Sequence, residues 1–273
     1  MLLSVSVSAQ EIERSETDVF LDELFVLDSL EVLNLMDDLK KQDYLYTTVL
    51  YNDKVLFSGR DFGVNQFSAF PSVTYIDAHN FFINMSAGYF SGIDPHWDFV
   101  SFSGGYSDYI NKKKSLMATM VYSYSSYTAD VANLNNQRIS GSLSLRIKPF
   151  RNSLSAGYLF GGEPAHYISN NTYLNIDLLD NRKLDISIQP RLGLFWGNQT
   201  ITELVQSGFR FTFVDKNVFQ LINTELSIPF TFDVGNWDVE LGYTFSFPNP
   251  LPNETDLKNT GFLSFSVGYL IGL

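Results

Sequence analysis

The chain contains no cysteine. That excludes disulfides, thiolate metal sites and a cysteine nucleophile together, and leaves redox chemistry without its commonest protein group. It also lacks any run of about 18 uncharged apolar residues, so no segment is suited to cross a bilayer as a helix. If a membrane is involved, strands must cross it. Basic residues are scarce, 18 Lys and Arg against 30 Asp and Glu, which denies nucleic acid the basic surface its phosphates need; no nucleic-acid partner is expected. The only histidines are His79, His96 and His166, and none has a ligand-like spacing to another His or to a carboxylate, so neither a metal nor a cofactor is expected. No glycine-rich loop precedes a helix, which removes the phosphate-binding reading of the glycines.

Aromatic residues, by contrast, make up 15% of the 273 residues, and Phe and Tyr far outnumber the three Trp. The net charge of -12 is uneven. Eleven acidic residues between Gln10 and Asp43 face only Arg14, Lys40 and Lys41. Met1 to Gln10 reads as a short apolar stretch ending in Val7-Ser8-Ala9, the small-residue pattern before a signal-peptidase cut; residues 1–9 are read as the remnant of a secretory signal peptide. Between Thr17 and Gln42 the apolar residues follow helical spacing, through Phe20, Leu24 and Leu27 and then Leu30, Leu33 and Met36. Asp28 with Glu31 resembles a capping box that restarts a second helix. Residues 10–43 are therefore read as an acidic helical segment, lying in the periplasm or serving as a plug.

From Tyr44 the period changes to 2 and stays there almost to Leu273. Ile139 to Lys148 alternates apolar residues with Ser140, Ser142, Ser144, Arg146 and Lys148, and Leu184 to Trp196 and Trp237 to Phe247 repeat the design. Pro190 is the awkward member of its apolar face. Strands of 10 to 15 residues exceed the usual globular length of about 5 to 6 and suit tilted strands that cross a bilayer. Tight turns around Ala78, Lys113, Arg151, Asn181 and Asn236 alternate with longer loops around Asp61, Pro95, Asn135, Pro164, Ser207 and Asn253. This pattern predicts twelve strands over 44–273: Tyr44–Arg60, Phe67–Asp77, Asn80–Phe90, Asp98–Tyr109, Leu116–Tyr127, Ile139–Lys148, Ser153–Phe160, Tyr167–Leu178, Leu184–Trp196, Phe219–Asp233, Trp237–Phe247 and Phe262–Leu273. Tyr51 to Lys54 could instead turn, and Ile201 to Lys216 is either a hidden strand or a loop over the mouth.

The last strand, with Leu263, Phe265, Val267, Tyr269, Ile271 and Leu273 in strict alternation, resembles the C-terminal strand of bacterial outer-membrane β-barrel proteins. The usual terminal residue of that superfamily is aromatic, and here it is Leu273. The resemblance covers Tyr44 to Leu273 and identifies no particular member. It implies an all-β, transmembrane, antiparallel up-and-down β-barrel of about 12 strands with a short N-terminal helical extension. It also implies contact with outer-membrane lipid, insertion by the barrel assembly machinery through the C-terminal strand, and both termini in the periplasm. Tyr89, Phe90, Tyr106, Tyr122, Tyr124, Tyr127, Tyr158, Phe160, Trp196, Trp237, Tyr243 and Phe247 fall near strand ends as candidates for interfacial girdles.

Three functions remain open. In the first, Arg146, Lys148, Asp185, Arg191, Glu225, Asp238 and Glu240 project into the lumen. There they either line a path for small solutes or pair into a structural filling. In the second, a membrane-embedded hydrolase of lipid or lipopolysaccharide uses Glu163 and His166, a carboxylate and an imidazole at one loop, with a nearby serine. In the third, the helices dock a periplasmic protein partner. A variant lacking Gln10 to Gln42 should still refold, read as faster migration on a gel before boiling than after. Under the third reading it should also lose its partner in a pull-down.

Overall fold

The computed structural model describes residues 42–61, 63, 65–92, 94–128, 134–181, 184–207, 210–251, 254 and 257–273, with backbone alone for 199–216. The signal-peptide and helical readings of residues 1–41 lie outside the described residues.

Alternation of outward apolar and inward small polar side chains produces fourteen strand segments. They are β1 (Tyr44–Asn52), β2 (Ser68–Ile76), β3 (Phe81–Phe90), β4 (Trp97–Tyr109), β5 (Leu116–Tyr127), β6 (Gln137–Ile147) and β7 (Phe150–Phe160). There follow β8 (Ala165–Leu174), β9 (Ile176–Asn181), β10 (Leu184–Ile188), β11 (Arg191–Ser207), β12 (Arg210–Val234), β13 (Trp237–Pro248) and β14 (Thr260–Gly272). Every pairing is antiparallel between neighbours, β14 pairs with β1, and β11 pairs with β12, so the sheet closes on itself. Only Asn175 separates β8 from β9, and Gln189 with Pro190 separates β10 from β11. β10 and β11 lie end to end along one edge of β12. Counting each of these two pairs as one stave gives a closed twelve-strand barrel. Pro190, which has no N–H to give, falls in the interruption, where no ladder bond is asked of it.

The polarity of this barrel is inverted relative to a globular core. Met120, Ile83, Leu143, Leu154, Phe102 and Leu241 stand exposed on the outer wall. The side chains buried inside the ring include Ser101, Ser107, Thr119, Ser153, Ser246 and Asn84. Such an exterior suits lipid, where a closed ladder pairs the N–H and C=O groups of neighbouring strands with one another. Inside, the hydroxyls bond across strands: Ser107 to Thr119 at 2.7 Å, Asn84 to Thr74 at 2.8 Å and Ser144 to Ser153 at 2.9 Å. Glycines make room for large inward rings. A Cβ on Gly157 would sit 2.3 Å from the Tyr167 ring, and one on Gly105 would sit 2.4 Å from that of Phe82.

Aromatic pairs mark both rims. Trp237 with Tyr269 and Phe81 with Tyr106 have centroids 4.6 and 4.7 Å apart at the tight-turn end. Tyr51, Phe67, Tyr89 and Trp97 form a chain at the long-loop end, with spacings of 5.5, 5.9 and 5.3 Å. Phe90, expected in a girdle, instead points inward and is buried.

Three departures from the expected strand ends bear on the site. β1 ends at Asn52 rather than Arg60, and the chain beyond it folds inward as a loop. The β6–β7 turn lies at Lys148 and Pro149, which places Arg151 on the inner wall of β7. The 201–216 segment, read as either a hidden strand or a loop over the mouth, continues β11 and β12 as one ladder to the Ser207–Arg210 pair. Alternation marks which side a residue faces but not where a ladder stops, so partner length decided these ends.

Met120, central on β5 and facing outward, supplies a test of the inverted polarity. Met120→Arg should lower unfolding stability in lipid by about 2–4 kcal/mol, as measured by urea titration of the refolded barrel.

Candidate functional site: the charged seam of the lumen

Residues opposite one another in an antiparallel ladder share a face, so the register maps the lumen wall directly. The inward positions of β1 to β5 carry Ser, Thr, Asn and aromatic or aliphatic side chains. The residues that alternate inward along those strands are uncharged, and the half-buried Asp98 sits at a register shift near the long-loop end of β4. The charges begin at β6. Arg146 lies opposite Arg151, Arg151 opposite Tyr173, Tyr173 opposite Arg191, and Arg191 opposite Ser227. This is a single row of guanidinium groups and a phenol crossing β6, β7, β8 and β11, with the Arg151 guanidinium 6.0 Å from the centre of the Tyr173 ring. Arg138 is also buried on β6 and donates to Ser123 Oγ at 3.3 Å.

Beyond β11 the sign reverses. Glu225 on β12, Glu240 and Asp238 on β13, and Asp233 on β12 face the same interior. Asp233 lies opposite both Asp185 and Asp238, and Tyr46 donates to Asp238 at 3.3 Å. The boundary between basic and acidic walls is the seam between β11 and β12. There Arg191 Nη2 meets Glu225 Oε2 at 3.2 Å and donates to Ser227 Oγ at 3.0 Å. Asn223 Nδ2 donates to the other Glu225 oxygen at 3.2 Å, and Asn223 Oδ1 accepts from Ser246 at 3.0 Å. Both partners of the ion pair are largely buried, at 10% and 20% exposure. Each depends on the other for charge compensation.

Of the residues proposed from sequence for the lumen, the structure places Arg146, Asp185, Arg191, Glu225, Asp238 and Glu240 on this inner wall and brings Arg191 and Glu225 into contact. Lys148 departs from the expectation: β6 ends at Ile147, and Lys148 is exposed in the following turn. Alternation carried one residue too far had assigned it inward. Arg138 and Arg151 were missed because one lay just before and the other just outside the expected strands. Their parity with Ser140 and Ser153 was the available signal.

The hydrolase candidates are not assembled. The His166 ring stacks on Phe219 at 5.1 Å, its backbone N–H donates to Asn198, and Glu163 engages Asn135 through its backbone carbonyl. No hydrogen bond among the described residues joins the His166 ring to Glu163 or to a serine.

The mouth at the long-loop end carries a second charged contact. Arg60 Nε and Nη2 donate to the two Glu254 oxygens at 2.8 and 2.9 Å, linking the β1–β2 loop to the β13–β14 loop. Partial burial works against the Glu254 charge. The bonds from Arg60 and from the Leu251 N–H outweigh it and hold the carboxyl below its ordinary range.

No family model matches the sequence, and no curated protein matches it. Solved structures do. A KdgM porin shares 8% identity over 84% of this chain and 99% of its own, with a TM-score of 0.48. An outer membrane channel from Pseudomonas putida F1 shares 10% over 85% and 97%, also at 0.48. The translocator domain of the autotransporter NalP from Neisseria meningitidis shares 10% over 94% and 98%, at 0.42. All three are outer-membrane β-barrel proteins. At these identities and TM-scores the likeness brings no substrate with it.

Removing one member of the seam pair strands the other. Arg191→Ala should cost about 3–5 kcal/mol, whereas replacing Arg191 and Glu225 together by Met should cost less. Denaturant unfolding of the two variants in micelles would read the difference, and equal losses would mean the two charges are not coupled.

Proposed function

We propose that this chain is an outer-membrane β-barrel that passes small polar solutes through its lumen and sorts them by charge. The observation that carries this reading is the division of the inner wall. A neutral arc lined with hydroxyls, β1 to β5, faces a charged arc on which basic β6, β7 and β11 meet acidic β10, β12 and β13. Small hydroxyl side chains keep a wall polar while taking up little of the bore. The separated arginines and carboxylates set up a field across the path that orients a dipolar solute and discriminates ions by sign. A barrel whose charges served only to fill the interior would gain most by interleaving opposite signs. Here arginines follow one another across β6 and β7, and carboxylates across β10, β12 and β13.

The test is planar-bilayer conductance of the refolded full chain, with the zero-current potential read in a salt gradient. Wild-type protein should give steady conductance. Glu240→Gln should shift the zero-current potential toward anion preference, and Arg151→Gln should shift it toward cation preference. Correctly folded protein that never conducts would instead support a structural barrel.

A further inference from the structure

We propose that residues Lys54–Arg60 of the β1–β2 loop form a tethered plug, latched across the mouth by Arg60 and released to open the lumen. This rests on the channel reading above and assigns it a gate.

The loop crosses the bore instead of leaving it. Val55, with Leu50 and Phe57, packs on the inward rings of Phe70, Phe90 and Phe99 and against Tyr127, residues of β2, β3, β4 and β5. The tip reaches the other side of the barrel. Ser246 on β13 donates to the Gly59 carbonyl at 3.3 Å, and a Cβ on Gly59 would stand 2.3 Å from Asn223 Oδ1 and 2.5 Å from Ser246 Oγ. One short segment therefore bridges the neutral arc and the charged arc. Its tip rests on Asn223, the residue that orients Glu225 toward Arg191.

The segment is also built as a separate unit. Phe57 and Arg60 exchange backbone bonds of 3.0 and 2.9 Å, closing a tight turn with φ of 51° at Ser58 and 78° at Gly59. The glycine accepts this left-handed conformation without cost, and it also permits the close approach to Asn223. The Arg60 guanidinium donates to both Glu254 oxygens, to the Asn249 carbonyl at 2.9 Å and to the Ser58 carbonyl at 3.1 Å. All these acceptors lie in the turn itself or in the loop after β13. Among the described residues no acceptor of Arg60 lies in a strand, so Arg60 fastens loop to loop, and the plug can leave while Asp53 keeps its bonds to Leu263 of β14.

A chain without cysteine permits a direct test. Ser58 is fully buried, so a single Ser58→Cys in the refolded full chain should react slowly with a bulky maleimide. Adding Arg60→Ala or Glu254→Gln should raise the labelling rate about tenfold or more, as expected when local opening becomes cheaper. The same two substitutions should raise conductance, and Arg60→Lys, which keeps a cationic donor, should label more slowly than Arg60→Ala. Unchanged labelling in a protein that conducts would overturn the plug and leave the channel reading standing. Faster labelling with no conductance in any variant would overturn the channel reading, and the gate with it.

Discussion

Closure of the backbone ladder is the constraint on which the rest of the structure depends. In hydrocarbon, an unpaired N–H or C=O finds no substitute partner, so a sheet that faces lipid must return to its first strand. Here β14 returns to β1 and β11 pairs with β12, over a register that runs from Arg191–Ser227 to Ser207–Arg210. Once the wall is closed, each strand has one face toward lipid and one toward the lumen. Most polar side chains of the spanning segments then share a single confined interior, while Asn152, Asn170 and Thr172 on the outer face bond to one another.

That confinement accounts for the chemistry inside. Small hydroxyls dominate because they can bond to one another across adjacent strands, as Ser107 does with Thr119, without filling the space. Where a large ring turns inward, a glycine next to it removes the obstruction, as Gly157 does for Tyr167. Among the described residues the inward arginines and carboxylates gather on one arc, and the two signs meet where β11 pairs with β12. Covalent order thus places β11 beside β12, and the hydrogen-bonded register places Arg191 within reach of Glu225.

The same confinement shapes the mouth. A loop carrying Val55, Leu56 and Phe57 has no favourable exposure to water, and the inward rings of Phe70, Phe90 and Phe99 offer it an apolar seat inside the ring. Folding in buries Arg60 to 4% exposure, which is tolerable because Glu254 and two backbone carbonyls meet its donors. Hydrophobic seating on one side and charge pairing on the other place the loop where any solute entering from that end would meet it.

The sequence by itself determined the strands, their number and the alternation that separates the two faces of each strand, because a period of 2 is a local property that survives without knowledge of partners. It could not determine where β1 stops, since Val55 and Leu56 are as apolar as any strand residue and only the rings facing them make a loop of that stretch. Nor could it find Arg60, whose partner Glu254 lies 194 positions away. The division of the lumen into neutral and charged arcs likewise had no trace in any single strand. It arises only when closure sets twelve staves in a ring and register decides which charges meet.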